Sequence, residues 1–132
     1  MRNSKILISL IFFLITSISF IFWGCKKNQL GGSSVISGKV NHHSKSIAGA
    51  SVFIKFNAKD FPGEDTTIYD AKVQCDEYGN FVIDDFYKGE YYLFSVGKDN
   101  AIPYPYLVKG GISFSIRKNE QLTRDIAVTE GD

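Results

Sequence analysis

The feature that most constrains the fold is a two-residue alternation of apolar and polar side chains that recurs from Val35 onward. Val52, Ile54 and Phe56 alternate with polar or outward residues. Successive side chains of a β-strand point to opposite faces, so this pattern predicts a strand with one face on a core. The same pattern recurs in further segments: Ile36–Val40, Tyr69–Cys75, Phe81–Ile83, Ile112–Ile116 and Ile126–Val128.

Turn-forming residues separate these segments, and no part of 35–129 has a sustained helical period. The turns supply residues that accept positive φ or cap their own backbone: Ala48-Gly49, 76–80, Lys88-Gly89, Asp99-Asn100, 109–111 and Lys118-Asn119. Short strands with frequent turns are typical of an antiparallel β-sandwich. The sequence therefore predicts an all-β domain. In the segment Tyr91–Val96 the residues at both odd and even positions are mostly apolar. The sequence therefore does not decide which set faces the core.

Four segments of this domain carry a recognisable order: Ile36–Val40, Ile47–Val52, Asp76–Ile83 and Gly89–Leu93. Together they resemble the carboxypeptidase regulatory-like domain. The resemblance covers essentially all of 35–129 and implies a seven-stranded antiparallel transthyretin-like β-sandwich. It also implies a non-catalytic accessory module that supports folding, spacing, adhesion or ligand contact in cell-envelope proteins.

The turn motif of this resemblance falls on Gly49, Asp76, Gly79 and Gly89. Gly49 allows a tight start to the following strand, and Asp76 can cap its turn through the side chain. Gly79 can take the left-handed conformation before the chain returns to the core. Gly89 can accept positive φ in the turn before the next strand.

An uncharged apolar run, Ile6 to Gly24, precedes this domain and ends at Cys25. Arg2 and Lys5 lie before it, as in a targeting segment with a basic start. The end of the run resembles the lipobox of bacterial lipoproteins, in which a small residue, here Gly24, precedes the lipidated cysteine. The alternative is a retained membrane-spanning helix, since about nineteen residues at ~1.5 Å each nearly reach the ~30 Å hydrocarbon thickness. Both readings place a tethered domain outside the cytoplasm.

The predicted organisation is a lipoprotein signal peptide or signal anchor over 1–24, lipidated Cys25 with a flexible linker over 25–34, the β-domain over 35–129, and a tail over 130–132. Glycine and serine in the linker offer little apolar surface to pack. The predicted location is the bacterial cell envelope, anchored to the lipid bilayer through Cys25. Lys26 stands where an inner-membrane retention signal has aspartate, which favours an outer membrane, facing the periplasm.

Charge excludes nucleic acid as a partner. From Cys25 on, the chain carries all 14 acidic residues and 13 of the 15 basic ones, because only Arg2 and Lys5 lie before it. A nucleic-acid interface needs a clustered basic surface, whereas these charges alternate in sign. Cys75 continues the apolar side of the alternating segment Tyr69–Cys75, so we expect its thiol to be buried. If Cys25 is lipidated, Cys75 has no disulfide partner in the chain and stays free.

The chain offers few residues in patterns that support catalysis, so we expect no enzymatic activity, no cofactor and no bound metal. His42 and His43 are the only histidines, and neighbouring residues of an extended segment point to opposite sides, so we expect an exposed turn rather than shared ligation. Cys75 lacks a visible base for nucleophilic chemistry. The acidic turns Asp76-Glu77 and Asp84-Asp85 lack EF-hand spacing and are interpreted as turn caps.

The best candidate contact surface is aromatic. Tyr104 and Tyr106 flank Pro105 on a proline-stiffened segment, so their rings would lose little entropy on binding. Two interpretations stay open: these tyrosines contact a ligand, or they cover the open end of the sandwich. The leading functional hypothesis is a non-enzymatic envelope lipoprotein that serves as a structural or protein-interaction module, with an unidentified envelope protein as partner. The alternative is a carbohydrate-binding module that uses Tyr104 and Tyr106 against a glycan.

Overall fold

The computed structural model describes residues 29–130, which form nine β-strands and one short 3-10 turn, Thr66–Ile68. The strands are β1 Leu30–His42, β2 Lys45–Ser46, β3 Ser51–Phe56, β4 Ala71–Gln74, β5 Asn80–Phe86, β6 Gly89–Lys98, β7 Leu107–Ile116, β8 Gln121–Thr123 and β9 Ile126–Glu130. Within 29–130 no helix is long and apolar enough to cross a membrane. The segment 1–24, Cys25 and the last two residues lie outside the described residues, so the predictions made for them stay predictions.

The strands join into one mixed sheet that curls into a half-barrel. Its order is β2-β1-β9-β7-β6-β3-β4, and β5 and β8 also pair with β1. The all-β prediction is confirmed. The expectation of seven strictly antiparallel strands is wrong, because there are nine strands and β1 runs parallel to both β8 and β9.

The additional strands arise because β1 is 13 residues long and changes neighbours along its length. Its first part pairs with β5 and β8, and its last part pairs with β2 and β9. The switch occurs at Gly38, where an added Cβ would lie 1.8 Å from the backbone oxygen of Arg124. The absence of a side chain at Gly38 therefore lets the chain between β8 and β9 cross close to β1.

The alternating residues of the sequence face a common core. Fully buried apolar side chains come from most strands: Ile36, Val40, Val52, Ile54, Ile83, Leu93, Ile126 and Val128 among them. In β6 the set of alternating residues that faces this core is the one that contains Tyr91 and Leu93, which are both fully buried. Tyr91 stacks on Phe114 at a centroid distance of 5.4 Å and meets Phe86 edge-on at 4.6 Å.

The second apolar parity of β6 is covered by the long segment between β3 and β4. Phe61 from this segment lies 5.3 Å from the ring of Phe94 and 5.7 Å from that of Tyr92. Tyr69 stacks on Phe94 at 5.7 Å, and burial raises the pKa of Tyr69 to about 12. Phe94 is consequently only 2% exposed on the outer side of the sheet. The segment thus acts as an outer cover for a sheet that is apolar on both faces.

Two glycine-rich segments are strands rather than the predicted linker and turn. Leu30–Ser34 belongs to β1, and Gly110 and Gly111 lie inside β7. An added Cβ at Gly32 would lie 2.2 Å from the backbone oxygen of Phe86, and one at Gly110 would lie 2.1 Å from that of Ala127. These glycines allow close backbone approach, which a reading based on flexibility alone misses.

The predicted linker is also fastened by side chains. Ser34 is fully buried, and its Oγ donates to the backbone oxygen of Arg117 at 2.6 Å. The hydroxyl oxygen of Ser34 in turn accepts from the backbone N–H of Glu120 at 3.2 Å. The backbone oxygen of Gln29 accepts from the N–H of Tyr87 at 2.9 Å. Residues 30–34 are therefore part of β1, and the prediction of a flexible linker is wrong for them.

The turn over 76–80 is held by the carboxylate of Asp76. One of its oxygens accepts from the backbone N–H groups of Tyr78 and Asn80, both at 2.8 Å. Hydrogen bonds from the side chain and backbone of Asn80 are the main reason why the pKa of Asp76 is lowered. Gly79 has φ +76°, Gly49 has φ +64° and Gly89 has φ +155°. All three conformations are ones that favour glycine.

Cys75 is a buried thiol, as predicted. Its side chain is 6% exposed and packs in the core. Burial, with a smaller contribution from the charge of Asp76, raises the pKa of Cys75 to about 11. The reactive thiolate is therefore disfavoured near neutral pH.

Candidate ligand-binding site

A cleft of about 420 Å³ opens beside the loop that joins β6 to β7. Ile102, Pro103, Tyr104 and Pro105 from the loop line one side of it. The cleft is completed by side chains of β7 and of the end of β9: Leu107, Lys109 and Glu130. The cleft volume falls within the ~300–1,000 Å³ typical of small-molecule sites.

The loop over 99–106 is closed by its own hydrogen bonds. The backbone N–H of Asp99 donates to the oxygen of Tyr106 at 2.7 Å, and the N–H of Tyr106 donates to the oxygen of Pro103 at 2.9 Å. The carboxylate of Asp99 accepts from the N–H of Ala101 at 3.0 Å. Ile102 packs against the core. These contacts hold the loop in one shape, so its aromatic side chains are positioned before a ligand arrives.

The two candidate tyrosines differ in exposure. Tyr104 is 84% exposed and Tyr106 is 39% exposed, and their rings meet edge-on at 5.8 Å. Ile102, rather than Tyr104, contacts the core from this loop. Tyr104 therefore contributes little to covering the core and presents an open ring face beside the cleft.

Charged groups form the polar part of the cleft. The ammonium of Lys109 lies 2.6 Å from a carboxylate oxygen of Glu64 in the outer cover. Glu130 is exposed, and one of its oxygens lies 3.7 Å from Nε2 of His42. A cation and a carboxylate thus flank the aromatic surface, and they can donate to and accept from a polar ligand.

An ionic cluster centred on the buried carboxylate of Asp99 lies behind the loop. Asp99 is 3% exposed, and its two oxygens contact Nδ1 of His42 at 2.8 Å and Nζ of Lys45 at 2.5 Å. Hydrogen bonds from Lys45, then His42, then the N–H of Ala101 hold the pKa of Asp99 far below its ordinary value. One carboxylate therefore connects β1, β2 and the loop that carries Tyr104.

The structure corrects the expectation for the two histidines. His42 is buried at 5% exposure, and His43 has φ +53°. This left-handed conformation turns the ring of His43 toward that of His42, and their centroids lie 4.4 Å apart. The prediction that they point to opposite sides is wrong, because it assumed extended backbone at both residues. The signal that sequence reasoning missed is the two-residue hairpin loop between His42 and Lys45, whose first residue takes positive φ.

Sequence reasoning identified Tyr104 and Tyr106 but not the charged groups around them. The sequence pattern predicts a turn residue at Lys109 and a tail that begins at Glu130. Both line the cleft because β7 and β9 pair there, Lys109 with Thr129 and Val108 with Glu130. No local motif marks this pairing, since it depends on how distant strands meet.

No family model and no curated protein sequence matches this chain. Among solved structures, it is similar to a Pseudomonas aeruginosa protein proposed to bind carbohydrate, with a TM-score of 0.55, 14% identity, and coverage of 76% of this chain and 91% of that one. A DUF3823 family protein from Parabacteroides merdae matches with a TM-score of 0.45 and 14% identity, over 75% of this chain and 47% of that chain. The likeness to the Pseudomonas protein shows a shared β-rich fold.

Proposed function

We propose that this chain is a non-enzymatic, membrane-anchored lipoprotein of the bacterial cell envelope whose β-domain binds carbohydrate through the loop that carries Tyr104. The observation that carries the proposal is the 84% exposure of Tyr104 on an internally hydrogen-bonded loop beside the cleft. The domain is proposed to be a transthyretin-like β-sandwich of the carboxypeptidase regulatory-like type. The anchor is proposed to be a lipid on Cys25, in an outer membrane and facing the periplasm.

Carbohydrate fits this surface chemically. A sugar ring has an apolar C–H face, which can stack on a tyrosine ring, and a hydroxyl edge, which needs donors and acceptors. Tyr104 offers the ring face, and Lys109 and Glu130, which line the same cleft, offer a donor and an acceptor. Small-molecule sites commonly combine an apolar wall with a few placed polar groups. The Pseudomonas protein proposed to bind carbohydrate supports the same ligand class.

The proposal that the protein is not an enzyme rests on the burial of the two groups best suited to catalysis, Cys75 and His42. Cys75 is buried and its pKa is raised to about 11, which opposes a nucleophilic role. The His42–Asp99 pair has the contact of a base and its orienting group, but His42 is 5% exposed. A base held in this way has little access to a substrate in the cleft.

The second candidate function is a protein-interaction module. It is favoured by Val82, an apolar side chain on β5 that is 66% exposed. Among the described residues β5 pairs with β1 alone, so its other edge is open to a partner strand. This candidate predicts that a change at Val82, and not at Tyr104, abolishes partner capture.

Replacing Tyr104 with alanine is expected to weaken glycan binding by at least about tenfold, which corresponds to about 1.4 kcal/mol. The physical reason is the loss of the stacking surface. A glycan array identifies the ligand, and titration calorimetry then compares wild type with Tyr104→Ala. Thermal unfolding should stay unchanged, because the deleted ring is 84% exposed.

Tyr78→Ala is the matched control. Tyr78 is also an exposed tyrosine, at 64%, but it lies on the turn over 76–80. It should keep full affinity. Unchanged affinity in Tyr104→Ala, or an array without any bound glycan, contradicts the proposed site. A large loss of thermal stability in Tyr104→Ala would instead assign this ring to packing.

A further inference from the structure

We propose that His42, His43 and Glu130 form a binding site for a divalent transition-metal ion of the Zn²⁺ class. One ligand atom from each of the three residues lies within 4.8 Å of the other two. Nε2 of His42 and Oε1 of Glu130 are 3.7 Å apart, which is too long for a hydrogen bond. Such a group of converging lone-pair donors is what a metal site requires. The site goes beyond the proposed carbohydrate function.

The fold brings these atoms together from two strands distant in sequence. His42 ends β1 and pairs with Val128 of the parallel strand β9. Glu130 follows two residues later and therefore points to the same side of the sheet as Val128. His43 joins them through its positive φ, which places its ring 4.4 Å from the ring of His42.

The hydrogen bond behind His42 selects the ligand-ready form of its ring. Nδ1 lies 2.8 Å from a carboxylate oxygen of Asp99, and the other oxygen of Asp99 contacts Nζ of Lys45. Because a carboxylate in an ion pair accepts, Nδ1 carries the hydrogen and donates it. The lone pair then lies on Nε2, the atom that faces Glu130. Metal-binding histidines are commonly oriented by a carboxylate in this way.

The donor set defines the class of ion. Two imidazole nitrogens and one carboxylate oxygen suit Zn²⁺, Cu²⁺ or Ni²⁺, whereas Mg²⁺ and Ca²⁺ prefer oxygen ligands. Metal–ligand distances of about 2.0–2.2 Å place tetrahedral ligands roughly 3.4 Å apart. His42 is buried, whereas His43 and Glu130 are exposed and can move their ligand atoms closer by the remaining distance, up to about 1.4 Å. Three protein ligands would leave the fourth position of a tetrahedral ion to water.

Calorimetric titration of the full chain in detergent with ZnCl₂ tests the site. The protein carries a tag without histidine and is first stripped with a chelator. Wild type is expected to bind one Zn²⁺ with a dissociation constant near or below micromolar. His43→Ala and Glu130→Gln should each weaken binding by at least about tenfold, in line with the sensitivity of metal sites to single groups. Both residues are exposed, so circular dichroism should show an unchanged fold.

Glu77→Gln is the matched control, because it removes an exposed carboxylate on the turn over 76–80. It should bind Zn²⁺ as wild type does, and MgCl₂ should give no heat of binding to any variant. Absence of Zn²⁺ binding below millimolar overturns the proposal. Equal affinity in wild type and His43→Ala overturns it as well, since the ion would then lie elsewhere. Unchanged glycan binding in Tyr104→Ala bears only on the proposed function, so the two failures are distinguishable.

Discussion

Replacing Tyr91 with alanine is expected to lower the free energy of unfolding by about 3–5 kcal/mol, the range typical of large aromatic truncations in cores. Tyr91 is fully buried and contacts the rings of Phe56, Phe86 and Phe114. The four rings, including that of Tyr91, come from four different strands, so removal of Tyr91 opens a cavity where these strands meet. Domains of this size have total stabilities of about 5–15 kcal/mol. The variant should therefore unfold at a much lower urea concentration than wild type.

Two control variants separate the ring from its hydroxyl. The hydroxyl of Tyr91 donates to the backbone oxygens of Tyr87 at 2.7 Å and Gln29 at 3.1 Å. Tyr91→Phe should therefore cost about 1 kcal/mol, the net value of a typical hydrogen bond. Tyr78→Ala, at an exposed turn, should stay within about 0.5 kcal/mol of wild type. A Tyr91→Ala variant as stable as Tyr78→Ala would contradict the core described for this fold.

Replacing Cys25 with serine is expected to abolish incorporation of a metabolic lipid label and to release the protein from membranes. A serine hydroxyl cannot form the thioether that carries the lipid, and each buried methylene of such a lipid contributes about 0.8 kcal/mol to membrane binding. The measurement is label incorporation followed by fractionation of membranes from the released pool. Cys75→Ala serves as the control, because this buried thiol lies in the core and should leave labelling unchanged.

The alternative anchor gives a different result in the same experiment. A retained helix over the apolar run would keep both wild type and Cys25→Ser in membranes, and neither would carry label. That outcome would contradict the lipoprotein assignment. It would leave the β-domain and its ligand site unaffected, since both are built from residues within 29–130.

The alternation of side chains predicted most of the core because burial in a β-sheet depends on a local period of two. Ile36, Val52 and Ile126 are buried as that period requires. Contacts between distant segments were less predictable. The outer aromatic cover depends on Phe61 folding back over β6, and nothing near Phe61 encodes which surface it meets.

Glycine was the residue type that sequence reasoning interpreted least well. Gly49 and Gly79 have the positive φ that turn chemistry predicts. Gly32 and Gly110 instead lie in strands, where a side chain would collide with a neighbouring backbone. Both uses of glycine look alike in a sequence, since one depends on local φ and the other on a strand remote along the chain.

The candidate site was only partly predictable for the same reason. Proline-flanked tyrosines are a local signal, and they led to Tyr104. The sequence pattern predicts only a turn residue at Asp99, yet its carboxylate joins His42, Lys45 and the loop. The positive φ of His43 was missed because the extended pattern of β1 was continued one residue too far.

The proposed carbohydrate site requires that a glycan contacts the hydrogen-bonded loop over 99–106 and the charged side chains beside it. Amide chemical-shift mapping by nuclear magnetic resonance, during titration with a glycan that the array identifies, tests it most directly. We predict shifts in the loop and at Lys109 and Glu130, with the turn over 76–80 unmoved. Shifts confined to other surfaces, or no shifts at saturating glycan, would contradict the account.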